Sequence, residues 1–284
     1  MKKYTSSFLL GISLLYMAGT AFANEEKELE ELSRQQNVEK VESKGFFTPN
    51  FTYWDSSVNY LNWSKGTETR SSAQNGSYGL TDFVYLELEG GAGWDWGEFY
   101  FFSDVENPGH SWKAEGTDNS RFVFKPILDV KLGESNWYVH IQDYYLNSDT
   151  FFVNNLVTGI AYKYTNGDFW IRPFIGPHIQ HSTYYDGFNG YMAGWTFIYN
   201  FKMGEQKFTL SNWHEFEFAR DEEHYLFNGE PTGDGRSYGT NGALALWWTP
   251  TKAITTGVQY RYANYKLGVA NYMSAVIYSL KYNF

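Results

Sequence analysis

The chain has 284 residues, no cysteine, a formal net charge of −10 and 20% aromatic residues. A chain without cysteine has no disulfide framework, and the acidic balance argues against nucleic acid as a partner. The mean hydropathy of −0.48 does not fit a bundle of apolar membrane helices. A barrel wall shows only every second residue to lipid, so it can span a membrane while averaging out polar.

The first 23 residues predict a secretory signal peptide. Lys2 and Lys3 form a basic start, residues 8–17 form an apolar core, and Ala21-Phe22-Ala23 provides a small-residue cleavage site. The apolar core is shorter than the roughly 20 residues that a membrane-spanning helix needs. We therefore expect cleavage after Ala23.

Residues 24–48 predict a charged extension in the periplasm, helical or disordered. Its first part, residues 24–44, is charged and has no aromatic residue, a composition that cannot bury a core of its own. The loose helical spacing of its leucines and valines leaves a short coiled coil as an alternative, although it covers fewer than three heptads.

Residues 49–284 predict an all-β transmembrane antiparallel barrel. The clearest alternation is in residues 121–132, where Phe122 and Phe124 take one face and Arg121 and Lys125 the other. Turn signals divide this region into about twelve strands, an even number as bacterial barrels have. The predicted strands are 51–63, 78–90, 95–105, 119–132, 136–147, 153–164, 168–181, 190–202, 206–218, 238–248, 253–265 and 271–284. The segment 189–201 has no clear parity.

The connections alternate in length. Even-numbered connections are tight and predicted at residues 91–94, 133–135, 165–167, 203–205 and 249–252, whereas the longest odd-numbered ones cover 64–77, 106–118 and 219–237. Outer-membrane barrels combine short periplasmic turns with long external loops in this way. The pattern therefore predicts a multi-pass barrel in the bacterial outer membrane, in contact with its lipid and lipopolysaccharide and with both termini in the periplasm.

The last strand carries a further mark. Its alternate residues Val276, Tyr278, Leu280, Tyr282 and Phe284 are all apolar or aromatic, and the chain ends on Phe284. This resembles the C-terminal signature that the barrel assembly machinery recognises, so that machinery is a predicted partner.

The residues of inward parity mix aromatic rings, amides and charges of both signs, as Tyr85, Glu87, Lys125 and Arg172 illustrate. A lumen that selects by net charge would be lined mainly by one sign. This mixture suits a neutral, ring-bearing polar solute, which can stack on aromatic faces and hydrogen-bond to carboxylates and amides. The alternative is that the charges pair across the lumen and simply fill it.

Four segments carry a resemblance to a known family. They are Trp54 to Asn59 (WDSSVN), Tyr85 to Pro108, Phe122 to Leu132 and Thr183 to Phe201, together with the closing YNF. They resemble the nucleoside-specific channels of the outer membrane, the Tsx-like and OmpK-like group. The resemblance spans most of residues 50–284 and does not cover residues 24–44.

The resemblance implies a monomeric twelve-stranded barrel with a narrow keyhole lumen that passes nucleosides and deoxynucleosides by passive diffusion. It implies no catalysis and no cofactor, and it implies phage and colicin receptor roles for the external loops, although no residue here identifies such a partner. The positions that it carries over as substrate-binding lumen residues are Trp54, Asp55, Asn59, Tyr85, Glu87, Glu89, Asp104 and Lys125. The inward parity of its strand adds Arg172.

Two other functions stay open at this stage. An outer-membrane lipase or deacylase needs a serine within hydrogen-bond reach of a histidine, and His181 beside Ser182, or Ser211 near His214, supplies the residue types. A structural or adhesin-type barrel would have a plugged lumen. The six histidines are scattered and no phosphate-binding glycine motif is present, so no metal site or nucleotide cofactor is predicted.

Overall fold

The computed structural model describes residues 45–113 and 119–284. The predicted signal peptide and the predicted extension up to residue 44 lie outside these residues. Within the described parts, twelve long strands follow the alternating pattern of the sequence. They are β1 (Phe51–Trp63), β2 (Phe83–Trp94), β3 (Gly97–Glu106), β4 (Arg121–Lys131), β5 (Trp137–Asn147), β6 (Phe152–Tyr162, continued by Tyr164–Asn166), β7 (Phe169–Ser182), β8 (Asp186–Met203), β9 (Gln206–Phe218), β10 (Tyr238–Thr249), β11 (Ile254–Lys266) and β12 (Val269–Asn283).

The strands close into one antiparallel barrel in chain order. Each strand pairs with its neighbours in sequence, and β1 pairs with β12 in a register that places Val58 opposite Leu280. Closure leaves no open sheet edge, so every strand has a hydrogen-bonding neighbour on both sides. The predicted fold class and strand number are confirmed.

Side chains sort between the two faces of the wall as the alternation predicts. Outward residues are apolar and exposed, as in Val58, Tyr278 and Leu280, each more than half accessible. Inward residues such as Asn59 and Asp129 are polar and almost completely buried. An apolar exterior around a polar interior is the arrangement that lets a barrel cross a lipid bilayer.

The second strand differs from the prediction. It begins at Phe83 rather than at residue 78, and it continues to Trp94, so the tight turn is Asp95–Trp96 and not residues 91–94. The glycines of that run are strand residues beside aromatic rings of β1. A Cβ on Gly91 would lie 2.6 Å from the ring of Tyr53, and one on Gly93 would lie 2.1 Å from that of Phe51.

The ambiguous parity of residues 189–201 has a physical cause. The pairing of β7 with β8 shifts by one residue between Pro177 and Ile179, and Gly190 has a φ of +72°. Asn189, just before it, is fully buried and donates to Gln180 Oε1 at 3.0 Å. A bulge exchanges the faces of the residues that follow it, which hides the alternation in the sequence.

The two rims of the barrel differ. At the tight-turn end the indoles of Trp94 and Trp96 stack and donate to the carbonyls of Phe47 and Phe46 at 3.1 and 2.9 Å. At the long-loop end the first connection contains the helix α1 (Lys65–Asn75), which begins after Ser64, whose Oγ accepts from Thr67 N.

The connection after β9 also folds back over the long-loop end. It contains the one-turn helix α2 (Glu222–Tyr225) and a small hairpin of Leu226–Phe227 with Glu230–Pro231. Gln74 Nε2 of α1 donates to the carbonyl of Gly233 at 3.0 Å, so the two connections touch. None of the helices within residues 45–113 and 119–284 is both long and apolar enough to cross a membrane.

Candidate functional site

The inward faces of the strands enclose a cavity of about 2170 Å³. Residues of both rims line this lumen, including Glu205 and Thr251 at the tight-turn end and Asn75 and Phe227 at the long-loop end. The candidate site is therefore the lumen itself, and its chemistry depends on the inward side chains.

One wall of the lumen is acidic. Asp55 of β1, Glu87 and Glu89 of β2 and Asp104 of β3 face inward on three neighbouring strands, and we call these four residues the acidic wall. Lys281 of β12 lies among them, with its Nζ 3.3 Å from Asp55 Oδ1, 3.8 Å from Glu87 Oε1 and in contact with Glu89 Oε2. Carboxylate oxygens of the first three lie within 4.8 Å of one another, a spacing that suits a cation. The Lys281 ammonium takes that place, so the cluster needs no metal to hold it.

A polar chain extends the acidic wall along β1. Asn59 Nδ2 donates to Ser57 Oγ at 2.7 Å, and Ser57 Oγ donates to Glu87 Oε1 at 3.2 Å. Asn59 is 1% exposed. These bonds fix the orientation of a carboxylate that would otherwise be free to rotate.

Trp213 of β9 presents an aromatic face to the same space. The guanidinium of Arg261 lies 4.6 Å from its ring centroid and the ammonium of Lys125 lies 5.4 Å from it. Both distances are within the range of a cation–π contact. The indole of Trp213, with the Arg261 and Lys125 cations against it, thus lies in the same lumen as the carboxylates of the acidic wall.

A charge pair crosses the lumen at this level. Lys125 of β4 contacts Glu215 of β9, with 2.5 Å between Nζ and Oε1, and Gln142 of β5 donates to the same oxygen at 2.8 Å. In the ring of twelve strands, β4 and β9 are five positions apart and therefore almost opposite. The contact divides the lumen into two sides.

At the level of this contact, the side bounded by β5 to β8 is filled by side chains. Val157, His178 and Met192 are at most 1% exposed there, and Gln142 Nε2 lies 3.8 Å from the sulfur of Met192. We call this the closed side. The space between the acidic wall and Trp213 is the open side.

A second group of charges lies nearer the tight-turn end. Arg172 of β7 is 2.7 Å from Asp129 and 3.1 Å from Glu98, and Lys163 also contacts Glu98. His140 Nδ1 lies 2.8 Å from Asp129 Oδ1. These groups neutralise one another, because each carboxylate has at least one basic partner.

The predicted lumen residues fall into separate groups rather than one site. Asp55, Glu87, Glu89 and Asp104 form the acidic wall, with Asn59 and Tyr85 next to it on the same strand faces. Lys125 belongs to the cross-lumen pair and Arg172 to the second charge group. Trp54 has the opposite parity to Asp55, and its ring packs edge-on against Phe101 at 5.3 Å.

Three central residues were absent from the predicted set: Trp213, Glu215 and Lys281. Lys281 has the parity opposite to Tyr282 and Phe284, so the alternation of the last strand already placed it inward. Glu215 and Trp213 also have inward parity in a strand predicted with the correct bounds, 206–218. Strand parity could have identified all three as inward residues. It could not have identified the side chains that they contact.

The serine and histidine pairs considered for an enzyme do not come together. Ser182 Oγ donates to the Tyr185 carbonyl and accepts from its N–H, whereas His181 pairs with Asp186. Ser211 faces the lumen and accepts from the indole of Trp247 at 2.9 Å.

His214 lies on the outward face of β9, opposite to Ser211. Its two ring nitrogens are bonded to the hydroxyls of Tyr262 and Thr240, at 2.9 and 3.0 Å. In both candidate pairs, the serine and the histidine are therefore engaged with other partners.

A family model described as nucleoside-specific channel-forming protein, Tsx, matches residues 58–284. The chain belongs to this family. The predicted family is thereby confirmed, and the protein is a β-barrel channel of the bacterial outer membrane. The tight turns accordingly lie at the periplasmic rim and the long loops at the extracellular rim.

Solved outer-membrane barrels are similar to this chain at low identity. The NanC porin is 14% identical, with 81% of this chain and 98% of that chain covered and a TM-score of 0.46. An outer-membrane channel from Pseudomonas putida is 12% identical, with 86% and 99% covered and a TM-score of 0.40. Outer membrane phospholipase A from Escherichia coli is 12% identical, with 82% and 96% covered and a TM-score of 0.39.

Proposed function

We propose that nucleosides and deoxynucleosides diffuse passively through the open side of the lumen. The observation that carries this proposal is the placement of Trp213 in the same space as the acidic wall. A nucleobase can stack on the indole while ribose hydroxyls donate to the carboxylates. The family description supports this solute class, and the mixed charges of the lumen are compatible with a neutral solute.

Transport requires the binding to be weak. A solute that is held tightly would block the lumen, so each contact must be favourable enough for entrance and weak enough for release. The acidic wall, Trp213 and the group around Arg172 offer several shallow sites in the lumen. The proposal contains no covalent step and no cofactor.

Ion current through single channels in a planar bilayer tests the proposal. Adenosine or thymidine should reduce the current in a saturable way, and glucose should have little effect. Trp213→Ala should raise the half-blocking concentration by about 5- to 150-fold, since stacking of a base on an aromatic ring contributes about 1–3 kcal/mol.

Trp248→Ala is the matched control, because Trp248 is an outward tryptophan that is 41% exposed. It should leave the block by nucleosides unchanged. Equal block by glucose and adenosine would show that the nucleoside specificity is wrong while the channel assignment holds. An unchanged block in Trp213→Ala would remove Trp213 from the binding site.

The other predicted partners stay predictions. Phe284 follows β12 and is 58% exposed, so its ring is accessible to the assembly machinery. Contacts with lipopolysaccharide, phages and colicins would involve the outer wall and the external loops.

A further inference from the structure

The distance between Lys125 and Glu215 requires a flattened barrel. Twelve strands about 4.8 Å apart and tilted by about 40° would form a circular barrel roughly 24 Å across. With C–C bonds of about 1.5 Å, an extended lysine and an extended glutamate bridge only about 14 Å between their Cα atoms, the hydrogen bond included. The 2.5 Å contact between Nζ and Oε1 therefore holds β4 and β9 closer than a circular section would.

Glu215 is held from both walls. Lys125 and Gln142 reach its Oε1 from β4 and β5. On its own side, Asn241 Nδ2 lies 3.4 Å from Oε2 and Lys266 Nζ lies 3.8 Å from the same atom. Lys125, Gln142, Glu215 and Asn241 are each less than 10% exposed, so this is a packed contact and not a pair of loose side chains.

The contact is not needed to complete the sheet. The backbone ladders of β4 and β9 with their own neighbours are formed independently of it. Burying an ion pair costs desolvation energy that the attraction often only balances. A contact of this kind is therefore better explained by what it does to the shape of the lumen than by stability.

We propose that Lys125, Gln142 and Glu215 form a strut that sets the upper size limit for solutes. The strut seals the closed side, where Val157, His178 and Met192 fill the remaining space, and it confines solutes to the passage beside the acidic wall. Truncating it frees the volume that the strut side chains occupy and widens the passage on the open side. This role concerns solute size and holds whether or not nucleosides are the substrates.

Two measurements on the full-length barrel test the strut. Glu215→Ala and Lys125→Ala should each raise single-channel conductance by about twofold or more, because current follows the open cross-section of the pore. Proteoliposomes containing these variants should swell in raffinose, which the unaltered channel should exclude while admitting glucose. The double exchange Lys125→Glu with Glu215→Lys restores an opposite-charge pair and should return both readouts toward the original values.

Glu106→Gln is the matched control. Glu106 pairs with Arg121 at 2.6 Å, but the two residues are direct partners on neighbouring strands, so their ion pair does not cross the lumen. This variant should keep the original conductance and exclude raffinose. The heat-dependent gel shift of folded barrels identifies which variants are folded.

Lys125→Ala leaves Glu215 its contacts with Lys266 and Asn241, so it serves if Glu215→Ala does not fold. Folded variants that conduct as the original channel does and still exclude raffinose would overturn the strut. A changed size limit in a channel that nucleosides do not block would leave the strut standing and remove the proposed specificity.

Discussion

The open and closed sides of the lumen are built from the same kinds of residue but behave differently. On the open side, Lys281 contacts Asp55, Glu87 and Glu89 on strands next to its own or one further away, so the charges stay on their wall. At the boundary of the closed side, Lys125 meets a carboxylate from the far wall. Whether an ion pair stays on one wall or crosses the lumen decides whether the space remains available to solutes.

Ion pairs in this lumen therefore have two different roles. Pairs within one wall orient polar groups toward a passing solute, and pairs across the lumen fix its width. Composition is the same in both cases, because both sides use lysine with aspartate or glutamate.

The largest effect should come from Lys281→Met on the open side. The substitution leaves Asp55, Glu87 and Glu89 without their shared cation, and removal of one partner from a buried ion cluster costs about 3–5 kcal/mol. The free energy of unfolding by urea in detergent micelles measures the loss. Lys207→Met, which removes an exposed lysine near the periplasmic rim, should change it little. A Lys281→Met barrel as stable as the original would show that this wall does not need its cation.

Gly159→Ala should destabilise the closed side by about 1–3 kcal/mol, as overpacking of a tight interior does. A Cβ on Gly159 would lie 2.0 Å from the carbonyl oxygen of Ile175 and 2.6 Å from Gly176 Cα, so β6 and β7 would have to separate. Gly109→Ala is the control, because a Cβ there has no atom within 4 Å. Urea unfolding of both variants is the measurement, and equal stability would contradict the close approach of these strands.

A smaller effect is expected at the extracellular loop of residues 219–237, which lies above both sides. Burial lowers the pKa of His224 below its ordinary value of 6.5. The nearby Arg220 cation also lowers this pKa, whereas the Asp234 carboxylate raises it in part. The folded loop therefore binds a proton less readily than an opened loop. The stability that neutral His224 provides is complete above pH 6.5 and is lost as the pH falls below that value.

Proteolytic cleavage of this loop should be severalfold faster at pH 5.5 than at pH 7.5. Burial raises the pKa of Asp234 from 3.8, so its protonation favours the folded loop, but this contribution grows only toward lower pH. His224→Gln, which cannot gain the charge, should show a weaker pH dependence than the original chain. Equal cleavage rates at the two pH values in the original chain would contradict the role of His224.

The smallest effect should follow Arg121→Gln near the extracellular rim. The side chains of Arg121 and Glu106 are 17% and 15% exposed, and Arg121 has this one carboxylate partner where Lys281 has three, so the pair should contribute about 1 kcal/mol or less. Urea unfolding should show a loss in that range, and salt should reduce the difference from the original chain. A loss near that of Lys281→Met would erase the distinction between pairs at the rim and pairs in the buried wall.

Much of the fold could be predicted from residues close in sequence. The alternation of Arg121 to Leu132, the tight turns at residues 133–135 and 203–205, and the aromatic parity of the last strand gave the strands, their faces and the barrel class. The predictions were wrong where a glycine can stand either in a turn or in a strand. The glycines at 91 and 93 resemble a turn, and only the rings of Tyr53 and Phe51 on the neighbouring strand explain them as strand residues. The bulge at Gly190 shifts the parity of β8, and the sequence around it does not show this shift.

The candidate site was predictable as a set of inward residues but not as an arrangement. Parity gave Glu87, Glu89 and Asp104 inward faces, because side chains of a strand alternate with a period of two, and the resemblance added Asp55. Trp54 was carried over by resemblance alone, and its parity turns it outward.

What the sequence alone determined is the alternating wall, its orientation and the polarity of its lumen, since each depends on residues a few positions apart. Only the closed barrel decided that Lys125 meets Glu215, 90 positions further along the chain. Closure, tilt and flattening bring opposite walls within reach of two side chains, and these are properties of the whole ring. The same sequence pattern in a circular barrel would leave that pair apart and the lumen undivided.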